Sequence, residues 1–434
     1  MSSSEMRARG DHNAATIGKR PPPSRPGRAT FVHLDLGIGG AERLVVDTAM
    51  ALKNLGFSVD FVTSHHDRTH CFPETQRDLP VTVVGDWLPR SIFGKCYVIC
   101  SIIRMIYLAL YLLWTRRGVS LKPEFIFVDQ VAQCVPFLRL LRVPVLFYCH
   151  HPDCLLVQKK NTYRNIYRWP IDRLEQLSTS LADLVVVNSR YTERVFRKTF
   201  PQLNTTKLEV LYPTVNFSLY DSPLEGDLND LPLMKSARTT FLSLNRYERK
   251  KDIPLALKAF AYVISQGEAD VHLIIAGGYD EAVTENVEHF QELQELAKRL
   301  NVAEKVTFLR SPSDRRKQLL LHYCSGVLYT PKNEHFGIVP LEAMYMRRPV
   351  IAANSGGPLE TIENGRTGYL CEATQEAFGE AMLRIIRDRD LVSELGEEGR
   401  RRVTALFSME AFQRGLQNLL SQMLPQMDSS RKLC

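Results

Sequence analysis

Two glutamates eight positions apart carry the strongest chemical signal in the sequence. Glu334 lies in the stretch YTPKNEHFGIVPLEAMYM, and Glu342 follows inside the helix predicted there. Free backbone N–H groups near Gly337, Ile338 and Val339, together with the helix dipole, favour an anion such as phosphate. The helix carboxylate could accept hydrogen bonds from two ribose hydroxyls, and the loop carboxylate could reach a sugar. Because two glutamates taken alone are usually surface charges, neighbouring features must support the pair.

A basic run, NRYERKKD, supplies the second signal. Arg246 ends a predicted strand, and Lys251 follows in the next loop. Two cations at a strand end could face the same anion and neutralise a diphosphate leaving group. A solvated basic loop is the alternative, and the run taken alone favours it.

Glycines mark two further places where the backbone could approach a ligand closely. In GIGGAERLV, Gly39 and Gly40 form a turn that opens a helix, but the G-x-G-x-x-G spacing is absent, which argues against nicotinamide or flavin binding. In SGGPLETIENGRTGYL, Gly356 and Gly357 precede a helix that begins at Pro358. Taken alone, this second pattern is common at turns and at the starts of helices.

Short apolar runs alternate with amphipathic stretches, which predicts parallel sheets flanked by helices in an α/β fold. A chain of 434 residues exceeds what one hydrophobic core usually serves, so two domains are expected. Two doubly wound, Rossmann-like halves would face each other across a cleft, with ligands at the carboxyl ends of the strands. The predicted strands span 29–36, 58–64, 125–129, 143–150, 181–189, 208–213, 239–246, 271–278, 305–310, 326–331 and 349–354.

The domain boundaries follow from changes in composition. A basic, Pro-rich tail over 1–28 is expected to be disordered. An N-terminal domain is predicted over 29–219, a linker rich in Pro, Gly and Asp over 220–235, and a C-terminal domain over 236–407. The tail lacks the apolar run of a secretory signal.

Composition excludes several classes of protein. With 44% apolar and 24% charged residues, the chain is globular. Much of the net charge of +7 lies in the tail, so the folded part is only mildly basic, and we expect no nucleic-acid partner. Nine scattered cysteines without a C-x-x-C pair indicate reduced thiols in the cytosol, with no disulfide or zinc framework.

An apolar segment, CYVICSIIRMIYLALYLLW over 96–114, complicates a simple soluble interpretation. Arg104 interrupts it, and an arginine near the middle of a membrane span costs about 3 kcal/mol. Tyr107, Tyr111 and Trp114 are residues that favour a membrane interface. The pattern favours a helix in or against a membrane surface, with a membrane-spanning helix and a buried core helix as the alternatives.

Five separated motifs resemble the retaining GT-B glycosyltransferases that carry an E-x7-E element. Longer stretches are similar, more narrowly, to the family of α-1,3/1,6-mannosyltransferases that elongate the dolichol-linked oligosaccharide for N-glycosylation. The likeness runs from Phe31 to about Leu424. The motifs are GGAERLV at 39–45, YCHHPDCLL at 148–156, NRYERKKD at 245–252, E-x7-E at 334–342 and SGGPLETIENGRTGYL at 355–370.

The resemblance implies GDP-mannose as the donor, held mainly by the C-terminal domain. Carried over by position, Arg246 and Lys251 would bind the diphosphate. Glu342 would bind the guanosine ribose, and Glu334 would contact the mannosyl ring near the reacting carbon. The catalytic candidates are therefore Glu334, His150, Lys251 and Arg246, and the donor site further includes Gly337, Ile338 and Val339 at the start of the helix.

Across the cleft, the resemblance implies that Gly39 and Gly40 approach the phosphates and that His150 lies beside the sugar. His151 departs from the family pattern, in which an aromatic residue is expected after the cleft histidine. The two histidines could therefore share or exchange roles. His335 is an acceptor-side or orienting candidate, with a structural imidazole as the alternative.

The resemblance also implies a mechanism and partners. Mannose would be transferred with retention to dolichyl-pyrophosphate-linked Man-GlcNAc2, forming α-1,3 and α-1,6 linkages, without metal or cofactor. The N-terminal domain would take the acceptor, and segment 96–114 would bring the cleft to the cytosolic face of the endoplasmic reticulum membrane. A final helix over 408–424 would return to the N-terminal domain. Other transferases of the same pathway are further candidate partners.

Two alternatives remain open. The chain could be a non-catalytic scaffold for another transferase, although the intact donor residues argue against this. It could also be a sibling transferase that uses UDP-N-acetylglucosamine or another lipid acceptor, distinguished by the loops at 245–247 and 276–280.

Overall fold

A computed structural model describes residues 27–116, 122–156, 162–203, 206–223 and 238–424. The predicted tail therefore falls almost entirely outside the described residues. The strands in these ranges are β1 Arg28–Asp35, β2 Ser58–His65, β3 Val81–Val83, β4 Phe125–Asp129, β5 Val145–Cys149, β6 Leu184–Val187, β7 Leu208–Val210, β8 Thr239–Leu244, β9 Val271–Gly277, β10 Val306–Arg310, β11 Gly326–Tyr329, β12 Val350–Ala353 and β13 Gly368–Cys371.

The strands form two fully parallel sheets. The first has seven strands in the order β3-β2-β1-β4-β5-β6-β7, and the second has six in the order β10-β9-β8-β11-β12-β13. The apolar runs that predicted strands are buried throughout β4, β5 and β6, as expected for a parallel sheet covered on both faces. The doubly wound prediction is confirmed for both halves.

Helices cover both faces of each sheet. In the described ranges they are α1 Gly40–Asn54, α2 Pro73–Arg77, α3 Tyr97–Arg116, α4 Val135–Arg139, α5 Asp153–Leu156, α6 Thr162–Ser180, α7 Arg190–Thr199, α8 Ser218–Asp221, α9 Ile253–Ser265, α10 Thr284–Arg299, α11 Asp314–Tyr323, α12 Ile338–Tyr345, α13 Pro358–Thr361, α14 Gln375–Arg387, α15 Arg389–Phe407 and α16 Met409–Met423.

The last helix, α16, crosses back to the N-terminal sheet, as predicted. Ser408 caps it by accepting a hydrogen bond from the Ala411 N–H at 3.2 Å. Its apolar side chains Phe412 and Leu416 are buried in one core with Phe31 of β1. Side chains alternate along a strand, so the next residue of β1, Val32, packs in the core on the opposite face of the sheet.

Two boundaries differ from the sequence-based prediction. Arg28, assigned to the tail, begins β1 and pairs with Asp60 at 3.0 Å, because the parallel β1–β2 ladder reaches back to it. Tyr220, assigned to the linker, lies in α8 and is buried in the core of the C-terminal domain. The rest of the predicted linker beyond residue 223 lies outside the described residues.

The apolar segment 96–114 forms α3, which by length and composition could cross a membrane, with a mean hydropathy of 1.9. One face, including Met105, Leu108 and Leu112, packs on the sheet. Arg104 is buried and forms two hydrogen bonds with Asp35 at the end of β1, at 3.0 and 2.7 Å. The packed face is that of a core helix. The opposite face exposes apolar side chains at Tyr97, Ile103, Tyr107, Leu110 and Trp114.

Candidate active site

A cleft of about 1350 Å³ separates the two domains. The carboxyl ends of β1, β4 and β5 face it from one side, and those of β8, β9 and β11 from the other. Nearly all residues predicted for the site line this cleft. They are Gly39, Gly40, His150, His151, Arg246, Lys251, Glu334, His335, Gly337, Ile338 and Val339. Glu342 does not line it directly, because its side chain is buried behind the start of α12.

Lys251 and Glu334 meet in the cleft. Lys251 lies in the short 3-10 turn after β8, and its Nζ is 2.5 Å from Oε2 of Glu334 in the loop between β11 and α12. The backbone on both sides is fixed, since Thr330 donates to the Lys251 carbonyl at 2.7 Å and the Gly357 N–H donates to the Glu334 carbonyl at 2.7 Å. The predicted cation and the predicted sugar-contacting carboxylate are therefore adjacent.

Two glycines allow this loop to fold. Gly337, just before α12, has φ +88°, and a Cβ there would lie 3.0 Å from the Tyr329 hydroxyl. Gly356 has φ +68°, and a Cβ there would lie 2.4 Å from the carbonyl oxygen of Glu334. A side chain at either position would be strained and would displace the loop that holds Glu334.

Arg246 is more exposed than Lys251. Its side chain is 64% exposed, and Nη1 lies 3.2 Å from Oε1 of Glu248. Lys250 pairs with the other oxygen of Glu248 at 3.0 Å. Arg246 is therefore an exposed cation at the cleft surface, where its guanidinium could exchange Glu248 for an arriving anion.

Glu342 forms an ion pair that the sequence did not suggest. Its Oε1 lies 2.7 Å from Nζ of Lys317 on α11. Its Oε2 is buried and has no hydrogen-bond partner among the described residues. Burial, and then the charge and proximity of the Glu342 carboxylate, raise the pKa of the Tyr220 hydroxyl on α8, so this carboxylate has both Lys317 and Tyr220 as neighbours. Lys317 lies on a polar helix face and gives no local sequence signal.

On the N-terminal side, His150 is joined to a buried carboxylate. Its Nε2 lies 3.0 Å from Oδ2 of Asp129, and His33 Nδ1 lies 2.7 Å from the other oxygen. Burial alone would raise the pKa of Asp129, but the charge and hydrogen bonds of the two histidines lower it to about 2. The sequence did offer a signal for this group, since His33 interrupts an apolar strand and Asp129 ends one.

The rings of His151 and His335 contact each other across the domain boundary, with centroids 4.0 Å apart and planes tilted by 33°. Burial and then the proximity of His335 lower the pKa of His151 to about 4. Burial also lowers the pKa of His335. Both imidazoles are therefore neutral at pH 7, and the Nδ1 atom of each is buried without a hydrogen-bond partner among the described residues. His151 faces the C-terminal domain, whereas His150 faces Asp129, so the adjacent histidines have different surroundings.

Glu360 ties the two domains together beside this pair. It accepts hydrogen bonds from the backbone N–H groups of Arg190 and Tyr191 at the start of α7, at 2.9 and 2.7 Å. It also accepts one from the Tyr212 hydroxyl at 2.9 Å. Ser189 Oγ donates to the His335 carbonyl at 2.6 Å. The cleft is therefore closed at one end by direct contacts between the domains.

Comparison with known proteins identifies both halves of the chain. The Glycosyltransferase Family 4 model matches residues 38–219, and the Glycosyl transferases group 1 model matches residues 232–402. Alpha-1,3/1,6-mannosyltransferase ALG2 of Homo sapiens is 48% identical over 402 residues, covering 91% of this chain and 95% of the relative. Alpha-1,3/1,6-mannosyltransferase ALG2 of Saccharomyces cerevisiae is 40% identical over 416 residues, covering 88% and 82%.

The chain belongs to the alpha-1,3/1,6-mannosyltransferase family. Solved structures agree on the fold. Anabaena HepE in complex with UDP matches with a TM-score of 0.69 at 19% identity, covering 91% of this chain and 100% of the HepE chain. Sucrose-phosphate synthase from Thermosynechococcus elongatus also has a TM-score of 0.69 at 19% identity, covering 92% and 100%. The predicted GT-B fold and glycosyltransferase activity are confirmed.

Proposed function

We propose that this member of the mannosyltransferase family transfers mannose from GDP-mannose to dolichyl-pyrophosphate-linked Man-GlcNAc2. It would form α-1,3 and α-1,6 linkages with retention of the anomeric configuration. Membership of the family supports the sugar and the linkages. The observation that carries the donor assignment is the ion pair between Lys251 and Glu334 beside the start of α12, with Glu342 behind it.

The diphosphate, the ribose and the mannosyl ring of the donor would each have a partner in this arrangement. The diphosphate would lie against Lys251, Arg246 and the N–H groups that begin α12, where cations and the helix dipole stabilise negative charge. Glu342 would accept a ribose hydroxyl through Oε2, the oxygen that Lys317 does not hold. Glu334 would contact the mannosyl ring, and Gly39 and Gly40 would let the other domain approach the phosphates.

Chemistry at the sugar needs few protein groups. The bond between the mannosyl anomeric carbon and the diphosphate oxygen breaks, and the acceptor hydroxyl oxygen bonds to that carbon on the same face. The hydroxyl proton passes to a phosphate oxygen of the departing GDP. Lys251 and Arg246 stabilise the charge that develops on the leaving group, and the closed cleft orients both substrates. We expect activity without metal or cofactor, which transfer in the presence of a chelator would test.

The acceptor would reach the cleft from the cytosolic face of the endoplasmic reticulum membrane. The exposed face of α3, with Ile103, Tyr107, Leu110 and Trp114, supports contact with a membrane surface because aromatic and aliphatic side chains are stabilised at the headgroup boundary. Its packed face holds the helix on the N-terminal sheet. Other transferases that act on the same lipid are further proposed partners.

The deciding experiment is transfer in vitro. Purified protein in lipid is incubated with GDP-mannose and an acceptor, a pyrophosphate-linked lipid that carries chitobiose with one β-mannose. The glycan is then released, and its mass is measured by mass spectrometry. Addition of one or two hexoses, lost in Glu334→Ala and Lys251→Ala but kept in the exposed control Lys258→Ala, supports the proposal. Transfer from UDP-sugars instead of GDP-mannose would indicate the sibling activity. Absence of transfer by folded protein would indicate a scaffold.

A further inference from the structure

Three ionisable side chains form a continuous hydrogen-bonded row behind the cleft. His33 of β1 contacts one oxygen of Asp129 at 2.7 Å, and His150 contacts the other at 3.0 Å. The side chains of His33 and Asp129 are fully buried, whereas that of His150 is 24% exposed to the cleft. The row therefore runs from the protein interior to the surface on which a sugar would lie.

His33 must carry a proton on both ring nitrogens. Its Nδ1 faces the carboxylate of Asp129, and its Nε2 faces the backbone carbonyl of Asp35 at 3.1 Å and Oε1 of Glu42 at 3.9 Å. All three partners are acceptors, so each nitrogen needs a hydrogen to donate. Burial by itself lowers the pKa of His33, but the charge and hydrogen bond of Asp129, with Glu42 and the Asp35 carbonyl, raise it overall.

Asp129 lies between two histidine side chains. The imidazolium of His33 compensates the charge of the carboxylate on one side, and Nε2 of His150 lies at hydrogen-bond distance from its other oxygen. With Nε2 donating to Asp129, Nδ1 is the ring nitrogen of His150 that remains to accept a hydrogen bond. Among the described residues, Nδ1 of His150 has no hydrogen-bond partner, and the ring lines the cleft.

Groups from each neighbouring element face this row. Glu42 comes from α1 and Asp35 from the end of β1, where Arg104 of α3 neutralises it at 2.7 Å. Tyr148 of β5 lies beside His150 with ring centroids 4.9 Å apart. Burial raises the pKa of Tyr148 well above its usual value, so this phenol is uncharged. Cys134 also lies close to Asp129, and burial raises the pKa of its thiol as well.

We propose that His33 and Asp129 are positioning residues, which hold His150 with its Nε2–H on the carboxylate and its Nδ1 lone pair toward a sugar hydroxyl in the cleft. The inference rests on the proposed function, in which His150 lies beside a sugar. His33 sets the charge of the row and Asp129 sets the orientation of the ring. Neither contacts the sugar.

The pH dependence of transfer tests the role of His33. In His33→Gln, Asp129 loses the imidazolium that compensates its charge, so the acid limb of the rate profile should move to higher pH. In Asp129→Asn, kcat should fall about ten-fold or more because the ring is no longer oriented, while GDP binding by the C-terminal domain is unchanged. Asp60 is a buried carboxylate on β2 that accepts a hydrogen bond from Thr30. The control variant Asp60→Asn should therefore keep the wild-type profile.

If His33→Gln and Asp129→Asn lower the rate only in proportion to the folded fraction, with the acid limb unmoved, the two residues are merely structural and the inference is wrong.

Imidazole ¹⁵N NMR of selectively labelled protein gives a second test without turnover. The signal lost in His33→Gln should show two protonated nitrogens in the wild type at pH 7, and a single protonated nitrogen would overturn the assignment. Failure of wild-type transfer would contradict the proposed donor or acceptor, and the NMR result would still stand.

Discussion

Lys251 and Glu334 are 83 positions apart in the sequence, yet Nζ of one lies 2.5 Å from Oε2 of the other. Each side chain compensates the charge of the other. An arriving diphosphate offers Lys251 a second anionic partner, so the lysine can bind the leaving group while it remains beside the carboxylate at the sugar. Each residue therefore holds the other in position in the cleft.

Replacement of Lys251 should impair the chemical step. Lys251→Ala removes the cation nearest to the departing diphosphate, and loss of one such stabilising group costs about 100-fold or more in kcat. It also leaves Glu334 as an uncompensated charge, so donor binding should weaken. Steady-state transfer and calorimetric titration with GDP measure the two effects. Lys258→Ala, on the exposed face of α9, should match the wild type, and a normal kcat in Lys251→Ala would contradict the leaving-group role.

The ribose assignment of Glu342 predicts a change in nucleotide discrimination. Wild-type protein should bind GDP about ten-fold more tightly than 2′,3′-dideoxy-GDP, because the Glu342 carboxylate accepts a ribose hydroxyl. In Glu342→Ala that preference should disappear, and GDP itself should bind more weakly because it loses this hydrogen bond. Titration of both nucleotides into both proteins gives the comparison. Equal discrimination by the variant would show that the ribose lies elsewhere.

The exposed face of α3 should govern membrane association. Leu110→Glu places a charge on that face without touching the packed face, so sedimentation with liposomes should fall several-fold. Transfer to a short-chain, detergent-soluble acceptor should be little changed. Leu406→Glu makes the same change at an exposed leucine of the C-terminal domain and serves as the control. Undiminished liposome binding by the α3 variant would rule out this face.

Acid should weaken the contact between the domains at the His151–His335 pair. The pKa of His151 falls to about 4 in the folded chain, below the ordinary histidine value of 6.5. Between pH 6.5 and 4 the unfolded chain therefore binds more protons, and the free energy of unfolding decreases as the pH falls. His151→Phe keeps a ring that cannot be protonated, so the unfolding free energy of this variant should depend less on pH. Its slope against pH should be smaller than that of the wild type by about 0.5 kcal/mol per pH unit, after allowance for solvent screening.

Thermal unfolding from pH 7 to pH 5 would measure this difference. His70→Phe, at an exposed histidine of the N-terminal domain, is the matched control and should keep the wild-type slope. Parallel curves for His151→Phe and the wild type would mean that the pair does not titrate in this range.

The fold was largely readable from the sequence because its central strands are buried on both faces and appear as uninterrupted apolar runs. β3 and β13 were missed for the opposite reason. They lie at sheet edges, and Val83 of β3 is exposed, so neither carries the continuous apolar pattern.

The site was predicted where residues cluster in the sequence, as in the runs around Lys251 and Glu334. The contacts that join distant segments were not predictable from spacing. Lys317 meets Glu342 only because α11 and α12 are neighbours, and Glu360 finds its partners 169 and 170 positions away. Such pairs are fixed by tertiary packing, which leaves no mark in local composition.

The path of α16 has a consequence for how the chain matures. The first domain is synthesised first, but its β1–α1 face is completed only by Phe412, Leu416, Leu419 and Leu420, near the other end of the chain. Until those residues leave the ribosome, the nascent domain presents an uncovered apolar surface, and it cannot finish folding as an independent unit. A premature stop codon that removed only α16 would thus damage the half of the protein that had already been translated.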